Sequence, residues 1–439
     1  MARKSLAGLA LLATTAIAVS GCAGGSSSTD GSNTIDGDVS GEVVFVTWRT
    51  DLVQDGTFDT YAEEFHAKYP NATVTFEGIT DYEGELKTRL STKNYGDVLG
   101  IPNSVQPDQF ADFFEPLGQT DTLSAGYRFL APKSYDGVQY GLALGGNANG
   151  IVYNTAVFEE AGVTTPPTTE DEWLDALAKI KANTDAIPLY TNYKDGWPLS
   201  QWSGNIGAVT GNPEAMNDMA LEDAPWTDGT DIYAIDSLIY DTVAAGYTEE
   251  DPLTTNWEQS KVDFATGKIA TMALGSWAIS QLQAAATDAG KDPSVVGYMT
   301  FPATASDGTQ YAMVGGDYNL GINKNSSVKA AAKAWIDFLI EDSGFTESQG
   351  MVSSLLAEPL PSNLTGLSDQ GVELIELNAA PAGQEALFTN IADTAQIDVW
   401  GNLYRQKLID IARGAADGDK ESYFDELNAR WAAARAEVG

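Results

Sequence analysis

The chain has 439 residues, with 24 Lys and Arg against 62 Asp and Glu, a net charge of −38, and 43% of its residues are hydrophobic. Such an acidic balance excludes nucleic acid, whose phosphates demand a concentrated basic face, and opposes adsorption to an anionic membrane; a neutral ligand suits it best. Once the N-terminal segment is set aside, the roughly 400 residues left exceed one ordinary core, so two lobes are expected.

In chain order, Arg3-Lys4 is followed by an apolar run over residues 6–19 and then Val19-Ser20-Gly21-Cys22. Charge, a short apolar stretch and small residues are the parts of an export signal over 1–21. The run falls short of the ~20 residues a spanning helix needs. The Ser-Gly-Cys end resembles a bacterial lipobox, which implies acylation of Cys22 and attachment by lipid alone, at the outer face of the membrane of a Gram-positive bacterium. Cys22 is the only cysteine, so no disulfide supports the fold. Residues 22–40, rich in Gly, Ser, Thr and Asp, read as a lipidated residue and a flexible linker.

Beyond residue 40, strands and helices alternate. Glu42-Val43-Val44-Phe45-Val46-Thr47-Trp48 reads as a buried strand, and Phe58, Tyr61, Ala62 and Phe65 line a helix ended by Pro70. Strands follow over 72–79 and 97–101, with a short helix carrying Tyr82, Leu86 and Leu90 between them. A βαβαβ start points to mainly parallel sheets covered by helices. Thr169 and Glu172 have capping-box spacing before a helix burying Trp173, Leu177 and Ile180. Val328, Ala331, Ala332, Trp335, Ile336, Leu339 and Ile340 form the strongest helical stripe, with Ser326 and Ser327 where its N-cap belongs.

Catalytic signatures are nearly absent. The single histidine, His66, sits in the last turn of a predicted helix, where it suits the negative helix end better than a substrate. No Gly-x-Ser-x-Gly elbow, phosphate loop or dinucleotide fingerprint occurs, and a zinc site lacks its usual Cys and His donors, so no cofactor or metal is expected. With 62 acids, a carboxylate pair for glycoside hydrolysis is inevitable in any fold and carries no signal.

Aromatic placement is more informative. Trp173, Trp335 and Trp431 fall on apolar helical faces and read as core. Trp48 ends a strand beside Arg49 and Asp51; Trp197 lies in the polar loop Tyr193-Lys194-Asp195-Gly196-Trp197; Trp277 follows an apolar strand; Trp400 comes in Asp398-Val399-Trp400-Gly401. Rings beside charged and amide groups suit a carbohydrate site, the ring covering the C–H face of a pyranose while polar groups take its hydroxyls.

These residues carry a resemblance over essentially all of residues 41–439. The lipobox, Ile187-Pro188-Leu189-Tyr190-Thr191-Asn192, Phe264-Ala265-Thr266-Gly267-Lys268-Ile269, Leu274-Gly275-Ser276-Trp277-Ala278 and Gly315-Gly316-Asp317-Tyr318-Asn319-Leu320-Gly321 look like the extracellular solute-binding lipoproteins of carbohydrate ABC transporters, family 1. The resemblance implies an α/β clamshell of two lobes joined by three hinge crossings, 41–150 plus about 316–365 and 151–315 plus about 366–439, each with a mainly parallel sheet. It implies a monomeric, non-catalytic receptor for a neutral oligosaccharide, delivering it to permease subunits driven by a cytoplasmic ATPase. Trp277 and Trp400 carry over as stacking residues, and Trp48, Arg49, Asp51 and Asp317 as cleft residues. Tyr193, Lys194, Asp195 and Trp197 match a variable loop, and Asn103, Asn147, Tyr318 and Asp398 complete the candidate set. The alternatives are the same receptor tuned to another small polar solute, and a lipid-anchored glycoside hydrolase.

Overall fold

The computed structural model describes Ile35, residues 37–80 and residues 82–439. The expected export signal, Cys22 and most of the linker lie outside the described residues. Among those described, no helix is long and apolar enough to cross a membrane.

The first sheet places strands Ala72–Gly78, Gly41–Thr47, Val98–Gly100, Asn319–Ile322 and Leu142–Ala143 side by side in that order. The apolar residues of its leading strand explain its central place: Val43, Phe45 and Val46 are fully buried, between helices on both faces. Helix Thr57–Lys68 buries Phe58, Tyr61 and Phe65, and helix Lys329–Glu341 buries Trp335, whose indole stacks on Phe338 at 5.7 Å. That helix begins after Val328, not at the expected serine cap; Ser326 Oγ instead accepts from Val328 N and donates to Asp97. His66 Nδ1 lies 2.7 Å from the Ala72 carbonyl, so the ring ties its helix to the following strand.

The second sheet runs Ile187–Leu189, Ile269–Ala273, Ile151–Asn154 and Val296–Met299. Its core holds Trp173, Trp226 and Trp431, each 2% exposed or less. Thr169 caps helix Glu170–Asn183 by accepting from Glu172 N, while Glu172 turns its carboxylate to Thr168, so the capping box is half formed. A smaller sheet of Glu373–Ile375, Tyr311–Gly316 and Gly146–Ala148 lies where the chain passes between the two larger ones.

The expectation of mainly parallel sheets holds, with a single reversed strand in each. In the first sheet, Gly41–Thr47 pairs parallel with both neighbours, but Asn319–Ile322 is antiparallel to Val98–Gly100 and to Leu142–Ala143. In the second, only Ile187–Leu189 with Ile269–Ala273 is parallel, and Ile151–Asn154 opposes both its partners. The cause is the same in each. Asn319–Ile322 and Ile151–Asn154 come straight out of the crossing strands, so they enter their sheets from the crossing end and run against neighbours that lead towards it.

Candidate functional site

A cleft of about 330 Å³ opens against the crossing strands. Phe129, Ala131 and Pro132 border it on the side of the first sheet; Asn149, Ser200, Gln201, Gly204 and Trp400 border it on the side of the second. Residues 313–316 form its floor, and Glu376 is the one charged residue of the lining. The Glu376 carboxylate accepts from Phe129 N at 2.8 Å, holding a residue in the left-handed region (φ 63°) that a non-glycine rarely adopts. Burial pushes this carboxyl up, the Phe129 amide and the Arg128 charge offsetting only part.

The second-sheet wall is built from two segments locked by one buried residue. Trp197–Asn205, a 3₁₀ stretch, supplies Ser200, Gln201 and Gly204; the loop at 398–402 supplies Trp400, 52% exposed. Arg405, 0% exposed, donates from Nη1 to Leu199 O, Ser203 Oγ and Val399 O, and from Nε to Asp236 at 2.9 Å, joining both segments to the core. Gly196 (φ 75°) lets the segments approach: a Cβ there would stand 2.7 Å from Asn402 Nδ2.

Trp277 and Trp197 belong to a three-indole cluster. Their ring centroids lie 5.7 Å apart, and Trp257 packs on them at 5.8 and 5.3 Å respectively. Trp277 Nε1 donates to Gln201 Oε1 at 3.3 Å, linking the cluster to the cleft wall.

The first-sheet candidates form a separate network. Trp48 tilts against Tyr318 at 4.5 Å and meets Tyr82 edge-on, with Gly100 leaving room for its indole. Tyr318 OH donates to Glu83 at 2.6 Å, and Asn103, exposed, donates its backbone N–H to the same carboxylate. Arg49 grips Asp51 bidentately (2.9 and 2.7 Å) and Gln349 at 2.8 Å. Burial works against the Asp51 charge, yet the Arg49 hydrogen bond and charge hold its carboxyl below the usual value. Asp317 follows the lining residue Gly316 and accepts from Tyr318 N; burial raises its carboxyl despite that bond and the Arg49 charge.

Of the sequence candidates, Trp400 alone lines the cleft directly, while Trp277 and Trp197 reach its wall and Asp317 adjoins its floor. Others have their polar atoms committed elsewhere. Asp398 accepts from Leu403 N and Tyr404 N and so caps helix Leu403–Ala412; Tyr193 OH bonds Asp410. Lys194 is exposed, and Asp195 Oδ2 and Asn147 Oδ1 are shielded without a protein partner. Sequence reasoning missed Phe129, Asn149, Gln201, Trp257, Glu376 and Arg405. Only Trp257 had a legible signal, an indole directly after the cap residue Asn256. Among the described residues no cluster of His, Cys, Asp and Glu could hold a metal ion.

The profile of the bacterial extracellular solute-binding proteins matches residues 50–344. A manno-oligosaccharide-specific solute-binding protein of Bifidobacterium animalis subsp. lactis, solved with mannotriose, is 34% identical, with a TM-score of 0.82 over 91% of this chain and 96% of its own. A second binding protein of an ABC transporter from that organism, solved with mannobiose, is 36% identical at a TM-score of 0.80, with the same coverage. The diacetylchitobiose-binding protein DasA of Streptomyces coelicolor is 25% identical over 98% of this chain and 99% of its own length.

Proposed function

The chain belongs to the bacterial extracellular solute-binding proteins, and from that premise we propose that it captures a manno-oligosaccharide between its lobes and passes it unaltered to an ABC importer. Oligosaccharide binding is common to these relatives, and one of them is the binding protein of an ABC transporter. The observation that carries the reading to this chain is the cleft itself. At about 330 Å³ it is of ligand size, it lies against the crossing strands, and it offers one half-exposed indole, amide and hydroxyl groups and a single carboxylate. Such a wall suits a neutral polyhydroxylated ligand: Trp400 covers C–H surface while Asn149, Ser200, Gln201 and Glu376 take hydroxyls.

Delivery requires the receptor to signal that it is loaded. A ligand touching both walls favours closure because it gains contacts in the closed form that the open form lacks. We assign residues 41–150 with about 316–365 to one lobe and 151–315 with about 366–439 to the other. Trp48, Arg49, Asp51 and Asp317 then belong to the first, Trp197, Trp277 and Trp400 to the second. Cys22 acylation would keep the receptor at the outer membrane surface, close to its permease.

The test is calorimetry and thermal shift of the purified protein with mannobiose, mannotriose, chitobiose, maltose, free amino acids and polyols, together with chromatography of the recovered sugar. Binding of the mannosides without shorter products, and a radius of gyration in small-angle scattering that falls only with them, is the expected result. Preference for a polyol or amino acid overturns the ligand class. Shortened products overturn the receptor reading.

A further inference from the structure

Only two of the described tryptophans are exposed, Trp400 (52%) and Trp197 (39%). The Trp400 ring packs on no other aromatic ring among the described residues, whereas Trp197 rests on two. Its indole meets Trp257 edge-on at 5.3 Å and Trp277 at 5.7 Å, and Lys261 Nζ sits 5.3 Å from the Trp257 ring. Gln201, which accepts from Trp277 Nε1, and the Lys261 cation thus engage the inner rings, and Trp197 carries the open surface.

Burial alone does not explain this cluster, because an indole backed by two others could have been covered completely, as Trp173 and Trp226 are. Its position is specific too. Trp197 opens the 3₁₀ stretch Trp197–Asn205 whose later residues Ser200, Gln201 and Gly204 line the cleft, so the exposed ring stands about one turn from the wall. The buried Arg405 bonds that hold this stretch also hold the Trp400 loop, which fixes the two exposed rings relative to each other.

Resting on the reading of the cleft as an oligosaccharide site, we infer that Trp197, stiffened by Trp257 and Trp277, is a second sugar platform beyond the cleft. It takes the further units of a chain whose first units stack on Trp400. A rigid, preoriented ring loses little entropy on contact, and stacking on it is available only to a chain long enough to reach. The receptor therefore selects by chain length, through a residue outside the cleft.

Calorimetry with mannobiose, mannotriose and mannotetraose on wild type, Trp197→Ala, Trp257→Phe and Trp400→Ala tests this. Wild-type affinity should rise with length, and Trp197→Ala should lose about tenfold more affinity for mannotetraose than for mannobiose, as one well-placed contact is worth. Trp257→Phe, which keeps an apolar backing, should lose part of the same increment, and Trp400→Ala should weaken all three ligands together. Leu221→Ser, at an exposed site outside the cleft lining, should change none of them. If wild type binds mannobiose and mannotetraose equally, or Trp197→Ala weakens both by one factor, the distal platform is overturned while the cleft stands. If no mannoside binds wild type, the reading of the cleft falls and the platform with it.

Discussion

Arg405 is the residue on which the geometry of the second-sheet wall depends, and Arg405→Met is the perturbation that measures it. Both partners of the Arg405–Asp236 pair are completely buried, with Nε 2.9 Å from the carboxylate. Asp236 also accepts from Trp226 Nε1 at 2.8 Å and Tyr404 OH at 3.4 Å, so it is well solvated by the fold only while the guanidinium balances its charge. Methionine keeps much of the volume and removes the charge, together with the bonds to Leu199 O, Ser203 Oγ and Val399 O. Stranding one member of a buried pair costs about 3–5 kcal/mol. Against a total stability of about 5–15 kcal/mol, that is about a fifth of it or more. Urea unfolding followed by tryptophan fluorescence should show a midpoint lowered accordingly with an unchanged slope, since the exposed surface on unfolding is the same. Neutralising the stranded acid in the double variant Arg405→Met/Asp236→Asn should recover about 2 kcal/mol or more of the loss, because the unpaired charge dominates the cost. Wild-type-like stability of Arg405→Met, or a double variant no more stable than the single one, refutes the reasoning.

Trp277→Ala should weaken oligosaccharide binding by about 2 kcal/mol, roughly 30-fold, in calorimetry, while Trp335→Ala should cost about 3–5 kcal/mol of folding stability and spare the affinity of the folded fraction. Exchanged phenotypes would invert the division between site and core. Glu376 responds to pH with a definite sign: burial raises its folded-state carboxyl above the ordinary 4.5, so its contribution to stability is complete below that value and lost as pH rises through the raised one. Glu376→Gln should therefore gain stability relative to wild type as pH rises above the ordinary 4.5 in parallel unfolding titrations, and a flat difference would discount the buried charge. Cys22→Ala should leave a folded protein uncleaved at this position or shed into the medium, whereas mass spectrometry finding wild-type Cys22 as a free thiol would refute acylation.

Helical and strand periods predict which tryptophans are core. Trp173, Trp335 and Trp431 are read from apolar neighbours three and four residues away, and all three are 0% exposed. Trp197 stands in a polar, turn-rich stretch and Trp400 is followed directly by Gly401-Asn402, and both are exposed in the structure. Family-level segments such as Gly315-Gly316-Asp317-Tyr318 are legible because they are contiguous, and the two-lobed α/β fold follows from their order. Local pattern also explains the failures. Asp398 looks like a ligand residue beside an exposed indole, yet it stands before a helix start, and its carboxylate goes to the Leu403 and Tyr404 amides.

The acidic balance, the fold class and the core tryptophans are legible in the chain alone, because each depends on composition or on residues within a few positions of one another. Tertiary structure alone decided that Glu376 meets the Phe129 amide across 247 positions, that Arg405 gathers Leu199 and Ser203 across more than 200, and that Trp257 backs Trp197. It also decided strand direction, since a strand carries the same alternation whether it enters its sheet from the crossing or leads towards it. Periodicity records which face of an element is buried; which polar atoms then converge is set by how distant elements pack, and a single chain holds no local trace of that.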